Sequence, residues 1–330
     1  MNLEKKLSLI TWYKKNGRHE LPWRNTKNAY FIYLSEIMLQ QTQVKTVLER
    51  FYFPFLEKFP TFKSVANATE DEVLKMWEGL GYYTRARNIY KTAQTTQGIL
   101  PKSAKELTTL CGIGVSTANA IACFAFGEAV PILDANVKRI LYRYYALKAA
   151  NEKQLWQYAY ELFNENSKNK KYAYEYNQAL MDIGSLICTR TNPKCEECPL
   201  FKRCQGKENS QEYPTKKIKK AKEQRYRNIL IYRHNNCFAL FQNEEKLLKG
   251  LYGFKQLKTD EEIEEKAMFL GEIKHEYSHI SLKAKVYVCE VLEKQFEKWF
   301  TLKEINALAM SKVDHKAFSL LENKKLLIRN

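Results

Sequence analysis

The stretch ICTRTNPKCEECPLFKRC, residues 187–204, carries four cysteines separated by six, two and five residues: Cys188, Cys195, Cys198 and Cys204. Thiolates at this spacing can converge on one metal centre, either a tetrahedral zinc or an iron–sulfur cubane. Buried or disulfide-bonded cysteines are the alternative, but so short and loop-like a stretch favours a metal. Zinc ribbons usually use two C-x-x-C pairs, and this stretch has a single one, at Cys195 and Cys198.

The composition favours a nucleic-acid partner. The chain has 330 residues, enough for two or three domains, and a formal net charge of +17. A field of this sign attracts phosphate backbones, although a protein that is basic for solubility alone would have the same charge. The sequence contains neither an apolar run of membrane-spanning length nor a signal-peptide core, and its cysteines suggest a reducing compartment. We therefore expect a cytoplasmic protein, associated with the nucleoid if it is bacterial.

Hydrophobic periodicity divides the chain into three parts. The pattern is helical from residue 1 to about residue 207, where glycines and capping residues separate the helices. Residues 208–224 are polar and basic and indicate an exposed linker. Residues 225–330 predict an α+β module, with strands at NILIYR, CFALFQ and AKVYVCEV and with helices near 260–269 and 302–308. Residues 234–236, His-Asn-Asn, predict a turn between the first two strands.

The segment LTTLCGIGVSTANAIACFAF, residues 107–126, predicts two helices joined by a tight turn at Gly112 and Gly114. Glycine adopts backbone angles closed to other residues, and its missing side chain lets N–H groups at a helix start approach a phosphate. Alone, this pattern is a weak signal. Asp134 follows at the boundary between an extended segment and a helix. As an N-cap it would be kept ionised by the helix N–H groups.

Glu36 lies within the apolar stretch AYFIYLSEIMLQQTQV, residues 29–44. A carboxyl group in apolar surroundings has a raised pKa and can stay protonated near neutral pH. A surface glutamate on an amphipathic helix is the alternative, and it is the usual position of an isolated glutamate. A protonated Glu36 and an ionised Asp134 would form a pair of acids that differ in protonation state.

These features together resemble the endonuclease III and MutY family of DNA glycosylases. That family holds a [4Fe–4S] cluster by the pattern C-x6-C-x2-C-x5-C, and its hairpin, aspartate and cysteines follow in the order found here. The segment SEIMLQQTQV is similar to MutY-type adenine DNA glycosylases, whose catalytic acid matches Glu36. Endonuclease III relatives carry a Schiff-base lysine two residues after the last hairpin glycine, where this chain has Ser116.

The resemblance implies further site residues. Trp23, Arg24 and Gln178 match the adenine pocket, and Asn136 is expected to orient the region of Asp134. A set of residues matches positions that contact DNA or intrude at the lesion pair: Gln41, Thr42, Leu80, Tyr82, Gly112, Gly114 and Ser116. In the mechanism that the family implies, Glu36 protonates the adenine and Asp134 stabilises the oxocarbenium-like sugar.

Three C-terminal segments resemble the Nudix-like domain of MutY proteins, which reads 8-oxoguanine opposite the adenine: GLYGF at 250–254, HEYSHISL at 275–282 and SKVDHKAF at 311–318. Tyr277, Ser278 and His279 correspond to the family's Phe-Ser-His. The clustered glutamates of a Nudix hydrolase are missing from the sequence, so nucleotide hydrolysis is not expected. The chain departs from the family pattern at four places: Tyr277 replaces Phe, GLYGF replaces a GLW-type motif, Cys111 replaces Pro and Ala135 replaces Gly.

The resemblance implies a multidomain fold, with an all-α helix-hairpin-helix glycosylase core and iron–sulfur loop followed by an α+β Nudix-like domain. A six-helix barrel is expected at about 22–133, an iron–sulfur subdomain at 1–21 plus 134–207, and the recognition domain at 225–330. The expected enzyme is a monomeric adenine DNA glycosylase that acts on A:8-oxoguanine or A:G pairs in double-stranded DNA, with one [4Fe–4S] cluster and without strong lyase activity. The alternatives are an endonuclease III-like glycosylase/lyase and a non-catalytic iron–sulfur DNA-binding protein.

Overall fold

The structure, a computed structural model, describes residues 8–167, 172–215, 221–245 and 247–324. By its internal contacts the chain divides into two compact units. The first consists of Met1–Val44 and Thr95–Ile218, and the second of Lys45–Gln94 and Lys219–Asn330. The helices of 45–94 therefore group with the C-terminal segment, and the domain boundaries expected from the sequence stay a prediction. Within the described ranges, no helix has the length and apolar character needed to cross a membrane.

The α-helices of the described residues are α1 (Ser8–Asn16), α2 (Ala29–Met38), α3 (Val44–Arg50), α4 (Tyr52–Lys58), α5 (Phe62–Ala66), α6 (Glu70–Met76), α7 (Thr84–Thr95), α8 (Ala104–Leu107), α9 (Val115–Phe126), α10 (Ala135–Tyr144), α11 (Glu152–Asn166), α12 (Ala173–Leu186), α13 (Leu302–Ala307) and α14 (Lys312–Asn323). The strands are β1 (Glu223–His234), β2 (Cys237–Ala239), β3 (Phe241–Gln242), β4 (Tyr252–Gly253), β5 (Lys255–Leu257), β6 (Met268–Glu276), β7 (Ile280–Glu290) and β8 (Trp299–Thr301).

The first unit is helical, as predicted. Helix α1 packs on α12, α2 packs on α9, and α10 packs on α12, around a core that includes Leu141, Leu162 and Ile183, all fully buried. Capping residues fix where the functional helices begin. Asn28 accepts hydrogen bonds from the N–H groups of Tyr30 and Phe31 at the start of α2. The helix starts that position the candidate site are thus encoded locally.

The C-terminal segment forms an α+β module, which confirms the prediction of mixed structure. The main sheet has the strand order β6-β7-β1-β2-β8, with β1 and β7 parallel and β6 and β7 antiparallel. Asn235, at φ 53°, makes the predicted turn between β1 and β2. The predicted helix at 260–269 is wrong. Its last residues begin β6 instead, because the strand pairing of Met268 with Val288 outweighs local helix propensity.

Part of the predicted linker is hydrogen-bonded to the first unit, although most of its described residues up to 215 are exposed as predicted. Ser210 is 8% exposed, and its carbonyl accepts a hydrogen bond from Arg143 Nε at 3.0 Å. The N–H of Thr215 donates to the carbonyl of Lys148 at 3.0 Å. Residues 208–215 therefore belong to the first unit, whereas 216–220 lie outside the described residues, as does the beginning of the predicted N-terminal helix at 1–7.

Candidate active site and DNA-binding elements

Two carboxyl groups meet in the first unit. Glu36 lies on α2, and Asp134 is the N-cap of α10, where its Oδ1 accepts a hydrogen bond from the N–H of Val137 at 2.7 Å. Asn136 Nδ2 donates to Asp134 Oδ2 at 3.4 Å, as expected for a residue that orients the aspartate. The charge of Asp134 acts directly on Glu36, so the structure brings the two predicted acids together.

The environment of the two acids is unequal. Burial, together with the negative charge of Asp134, raises the pKa of Glu36 from 4.5 to about 7, and the positive charge of Arg24 limits the rise. Burial also raises the pKa of Asp134, whereas hydrogen bonds from Val137 and Asn136 and the charge of Arg139 oppose the rise. Asp134 is an N-cap as predicted, but burial opposes the effect of the helix N–H groups on its pKa. The proton goes to Glu36, because Asp134 has hydrogen-bond donors that favour its charged form.

A buried polar network holds the extended segment that leads to Asp134. Asn119 Nδ2 donates to the carbonyl of Pro131 at 2.7 Å, and the N–H of Ile132 donates to Asn177 Oδ1 at 3.0 Å. The N–H of Leu133 donates to Ser116 Oγ at 3.2 Å. These side chains come from α9 and α12, so two helices fix the backbone immediately before the aspartate.

The side chain of Arg24 is 4% exposed, and the other two predicted adenine-pocket residues are buried. Arg24 makes a bidentate pair with the fully buried Asp182, at 2.7 and 2.8 Å, and its positive charge acts on Glu36. Trp23 is 7% exposed and Gln178 is 4% exposed. Gln178 lies one turn before Asp182 on α12. The effect of its charge on Glu36 thus places Arg24 near the acid pair. For Trp23 and Gln178 the structure shows that they are buried.

The predicted hairpin is present between α8 and α9. Gly112 has φ 74°, a region that favours glycine, whereas Gly114 has φ −82°, a region open to other residues. The expectation of unusual backbone angles was therefore right for Gly112 and wrong for Gly114. A side chain at Gly114 would meet no heavy atom within 4 Å, so the start of α9 is open to a ligand. Val115, the first residue of α9, is 50% exposed.

The segment after α2 lies near this hairpin. Gln41 is exposed with φ 58°, an uncommon conformation for a residue other than glycine and one that is enriched at functional sites. Thr42 is half-buried, and its N–H donates to the carbonyl of Leu39. Gln40 Nε2 donates to Thr117 Oγ1 on α9 at 3.3 Å, which connects this segment to the hairpin.

One small cavity of about 30 Å³ is lined by the four cysteines of the cluster loop, Cys188, Cys195, Cys198 and Cys204. Arg143, Ile187 and Phe201 also line it. Burial raises the pKa of Cys198 and of Cys204, so their thiolates need a positive partner inside the cavity. Four thiols that face one apolar cavity fit an iron–sulfur cluster. Arg143 Nη1 donates to Cys188 Sγ at 3.3 Å, a hydrogen bond of the kind that tunes such clusters.

In the second unit, the loop that follows α6 faces the loop between β6 and β7. Tyr82 is 46% exposed with φ 51°, and its hydroxyl lies 2.8 Å from Ser278 Oγ. Leu80 is 8% exposed, so of the two predicted intruding residues on this loop Tyr82 presents its side chain to solvent and Leu80 does not. Ser278 and His279 are exposed, whereas Tyr277 is half-buried.

These two loops border a cleft of about 610 Å³, and we call it the loop cleft. Its walls are residues 79–84, Leu247, Leu248, 275–280, Ser311 and Lys312. The cleft is large enough for a nucleobase and carries the exposed hydroxyl, imidazole and ammonium groups of Ser278, His279 and Lys312. Lys312 was not predicted as a site residue, although it lies in the segment SKVDHKAF that the sequence singled out.

Sequence analysis also missed three buried or partly buried residues that support the site. Asp182 holds Arg24, and Asn177 holds the segment before Asp134. Arg139 donates to Asn136 Oδ1 at 2.8 Å and to the carbonyls of Gly184 and Cys188 at 2.5 and 2.7 Å. Arg139 and Asp182 could have been predicted, because each is a charged residue on the apolar side of a helix and such a residue needs a partner.

The comparisons with known proteins agree with this geometry. Residues 34–165 match the HhH-GPD superfamily of base excision DNA repair proteins, and residues 188–204 match the iron–sulfur binding domain of endonuclease III. The structure is similar to a thermostable thymine-DNA glycosylase, with a TM-score of 0.55 and 28% identity over 62% of this chain and 97% of that one. Endonuclease III in a non-covalent DNA complex shares the fold, with a TM-score of 0.52 at 20% identity over 63% of this chain and 98% of that one. The chain is thus a DNA N-glycosylase with a [4Fe–4S] cluster.

Two relatives by sequence define the protein family more narrowly. The chain is 37% identical to the adenine DNA glycosylase of Buchnera aphidicola subsp. Acyrthosiphon pisum (strain APS), over 96% of both chains. It is 36% identical to the adenine DNA glycosylase of Homo sapiens, over 61% of this chain and 39% of the human protein. The chain belongs to the adenine DNA glycosylase family.

Proposed function

We propose that this protein removes adenine paired with 8-oxoguanine, or with guanine, from double-stranded DNA by hydrolysis of the N-glycosidic bond. The observation that carries the proposal is the pKa of Glu36, which burial raises to about 7 beside the Asp134 carboxylate. A general acid works best when its pKa lies near the operating pH. The pair also has the unequal environments that separate an acid from an anionic stabiliser.

In the proposed reaction, Glu36 transfers its proton to the adenine, at N7, after the base has been flipped out of the duplex. The C1′–N9 bond then breaks, and its electron pair leaves with the neutral adenine. The carboxylate of Asp134 stabilises the positive charge that develops on the sugar. Water adds to C1′ and loses a proton, which leaves an abasic site. Arg24, held by Asp182, and Asn136 orient the two acids and do not exchange protons.

The proposed enzyme lacks strong lyase activity. Strand cleavage by a glycosylase requires an amine that forms a Schiff base with the sugar. Ser116 occupies the hairpin position where lyases of the family carry lysine, and its Oγ accepts a hydrogen bond from the N–H of Leu133. This position therefore supports Asp134 instead of supplying a nucleophile.

The loop cleft is the proposed site that reads the base opposite the adenine. The exposed Ser278 and His279 offer hydrogen-bond donors that can distinguish 8-oxoguanine from guanine. Tyr82 presents a half-exposed ring that can occupy the space left by an unstacked base. The hydrogen bond between Tyr82 and Ser278 holds these two groups in one arrangement before DNA binds.

Binding to the DNA backbone is assigned to the hairpin. The open start of α9 after Gly114 presents N–H groups to a phosphate, and the net charge of +17 favours any duplex. Such contacts position the protein and carry no sequence information. We propose that a monomer performs the reaction.

A labelled duplex tests the proposal. The protein is mixed with duplexes that contain adenine opposite 8-oxoguanine or an oxidised pyrimidine opposite guanine, and the products are heated in alkali or left unheated. We expect cleavage at the adenine after alkali alone, and a loss of at least about 10²-fold in the single-turnover rate for Glu36→Gln. Cleavage of the pyrimidine duplex without alkali would indicate a glycosylase/lyase. Binding without cleavage of either duplex would indicate a non-catalytic protein.

A further inference from the structure

The loop that carries Tyr82 is held by hydrogen bonds to its own residues and to the residues that flank it. Trp77 Nε1 and Arg85 Nη2 both donate to the carbonyl of Gly81, at 3.0 and 3.1 Å. The N–H of Gly79 donates to the hydroxyl of Tyr83 at 3.2 Å. The position of Tyr82 therefore depends on where this loop as a whole is anchored.

Glu78, the residue immediately before the loop, anchors it to the C-terminal module. Its Oε1 accepts hydrogen bonds from the N–H of Met310 at 3.1 Å and from His315 Nε2 at 2.5 Å. Its Oε2 accepts from Lys75 Nζ at 2.6 Å, and the same ammonium donates to the carbonyl of Leu308 at 3.0 Å. The Glu78 side chain is 19% exposed, so these bonds are partly shielded from water.

Helix α14 extends this anchor to the other side of the loop cleft. His315 on α14 binds Glu78, and the next residue, Lys316, donates from Nζ to the carbonyl of Lys274 at 2.6 Å. Lys274 lies on β6, three residues before Tyr277. The helix thus contacts the strand that leads into the loop carrying Ser278, as well as the residue that precedes the loop carrying Tyr82.

The hydrogen bond between Tyr82 and Ser278 closes a ring of contacts. One path between the two loops is direct, through the two hydroxyls at 2.8 Å. The other path runs from Glu78 through His315 and α14 to β6. The direct contact is exposed and would have to rearrange around a base in the cleft, whereas the Glu78 path lies away from the hydroxyls and can persist.

The carboxylate of Glu78 is stabilised by its donors. Burial alone would raise the pKa of Glu78, but its hydrogen bonds from His315, Lys75 and Met310 outweigh burial and lower the pKa.

We infer that Glu78 and His315 form a positioning pair that sets the spacing of the two loops and thereby the preference for 8-oxoguanine over guanine opposite the adenine. Neither residue touches a reacting group in the proposed mechanism. The inference rests on the proposed lesion-reading role of the loop cleft. A pair of this kind acts on specificity, because it favours one arrangement of the cleft over others.

The experiment measures single-turnover excision of adenine opposite 8-oxoguanine and opposite guanine, and takes the ratio of the two rates. Glu78→Ala and His315→Ala should each lower this ratio about tenfold. The variant that carries both substitutions should lower the ratio no further than the stronger single variant does, because each substitution alone already removes the hydrogen bond between Glu78 and His315. Glu78→Gln keeps an acceptor for His315 and Met310 and should restore most of the ratio. His315 is half-exposed, so its replacement by alanine leaves the fold intact and keeps the test decisive if Glu78→Ala unfolds.

Two further variants separate the possible failures. Glu49→Gln removes an exposed ion pair with Lys45 in the same unit and should leave the ratio unchanged. Ser278→Ala removes a proposed lesion contact and should lower the ratio. If His315→Ala and Glu78→Ala behave like Glu49→Gln while Ser278→Ala lowers the ratio, the positioning pair is refuted and the proposed function stands. If Ser278→Ala also has no effect, the lesion-reading role of the cleft fails and the inference fails with it.

Discussion

Arg139 donates a hydrogen bond from Nε to the backbone carbonyl of Cys188 at 2.7 Å, and its Nη2 donates to Asn136 Oδ1 at 2.8 Å. One side chain therefore joins the first cysteine of the cluster loop to the residue that hydrogen-bonds Asp134. Gly184 permits this arrangement, since a side chain there would come within 2.5 Å of Asn136 Cβ. The cluster loop is thus connected to the region of Asp134 through Arg139 on α10.

This bridge predicts the effect of Arg139→Gln. The shorter side chain leaves buried carbonyl groups without a donor, at about 1–3 kcal/mol each, and frees Asn136. We expect the single-turnover rate of adenine excision to fall about 10- to 100-fold, since 1.4 kcal/mol corresponds to a factor of ten. Lys138→Gln is the matched control, because Lys138 on the same helix pairs with the exposed Glu152. Equal rates for the two variants would show that the bridge does not act on catalysis.

The raised pKa of Glu36 predicts a cost in stability at high pH. The folded-state value of about 7 lies above the ordinary value of 4.5, so the stabilisation is complete below pH 4.5 and is lost as the pH rises through 7. Glu36→Gln cannot ionise, and at pH 8.5 its free energy of unfolding should exceed that of the wild type by on the order of 2 kcal/mol. Urea unfolding at pH 5 and pH 8.5 measures the difference, which should be small at pH 5. A difference that is the same at both pH values would mean that Glu36 titrates normally.

The same pKa predicts the pH profile of excision. If protonated Glu36 is the acid, the single-turnover rate should be level below pH 7 and fall about tenfold per pH unit above it. The profile is measured with DNA in excess of its dissociation constant at every pH, so that weaker binding does not imitate the loss. A rate that stays level to pH 9 would exclude Glu36 as the group that donates the proton.

The cluster loop predicts different results for two cysteines. Cys198 lines the thiol cavity, whereas Cys111 is exposed on the hairpin. Cys198→Ser should lose iron and the visible absorption of the cluster, because the cavity would retain three thiols. Cys111→Ser should keep about four irons per chain, the content of one such cluster. Iron analysis of protein prepared without air distinguishes these outcomes, and stoichiometric zinc in the wild type would overturn the cluster assignment.

Much of this structure could be predicted from short stretches of the sequence. The hairpin, the N-cap at Asp134 and the turn at Asn235 each depend on a few neighbouring residues, and each was predicted. Glu36 could be singled out because its neighbours on α2 are apolar. These features share one property, since the interactions that determine them lie within a few positions along the chain.

The features that were missed depend on contacts between distant residues. Asp182 meets Arg24 across 158 positions, and His315 meets Glu78 across 237. The residues around 260–269 have a composition typical of a helix, but Met268 pairs with β7. No pattern within a short window contains such information. Pairing of strands and pairing of buried charges are decided by the assembled fold.

The two hairpin glycines predict opposite kinds of defect. Gly114 has φ −82° and open space where a Cβ would stand, so Gly114→Asp should fold with an unchanged melting temperature. Its carboxylate would lie where a phosphate is expected, and affinity should fall for matched and mismatched duplexes alike. Gly112 has φ 74°, so Gly112→Ala should lower the free energy of unfolding by about 1 kcal/mol. Affinities for A:8-oxoguanine and A:T duplexes at one salt concentration, together with melting curves, test both statements. A Gly114→Asp variant that loses affinity for one duplex alone would mean that the hairpin reads the base pair and not the backbone.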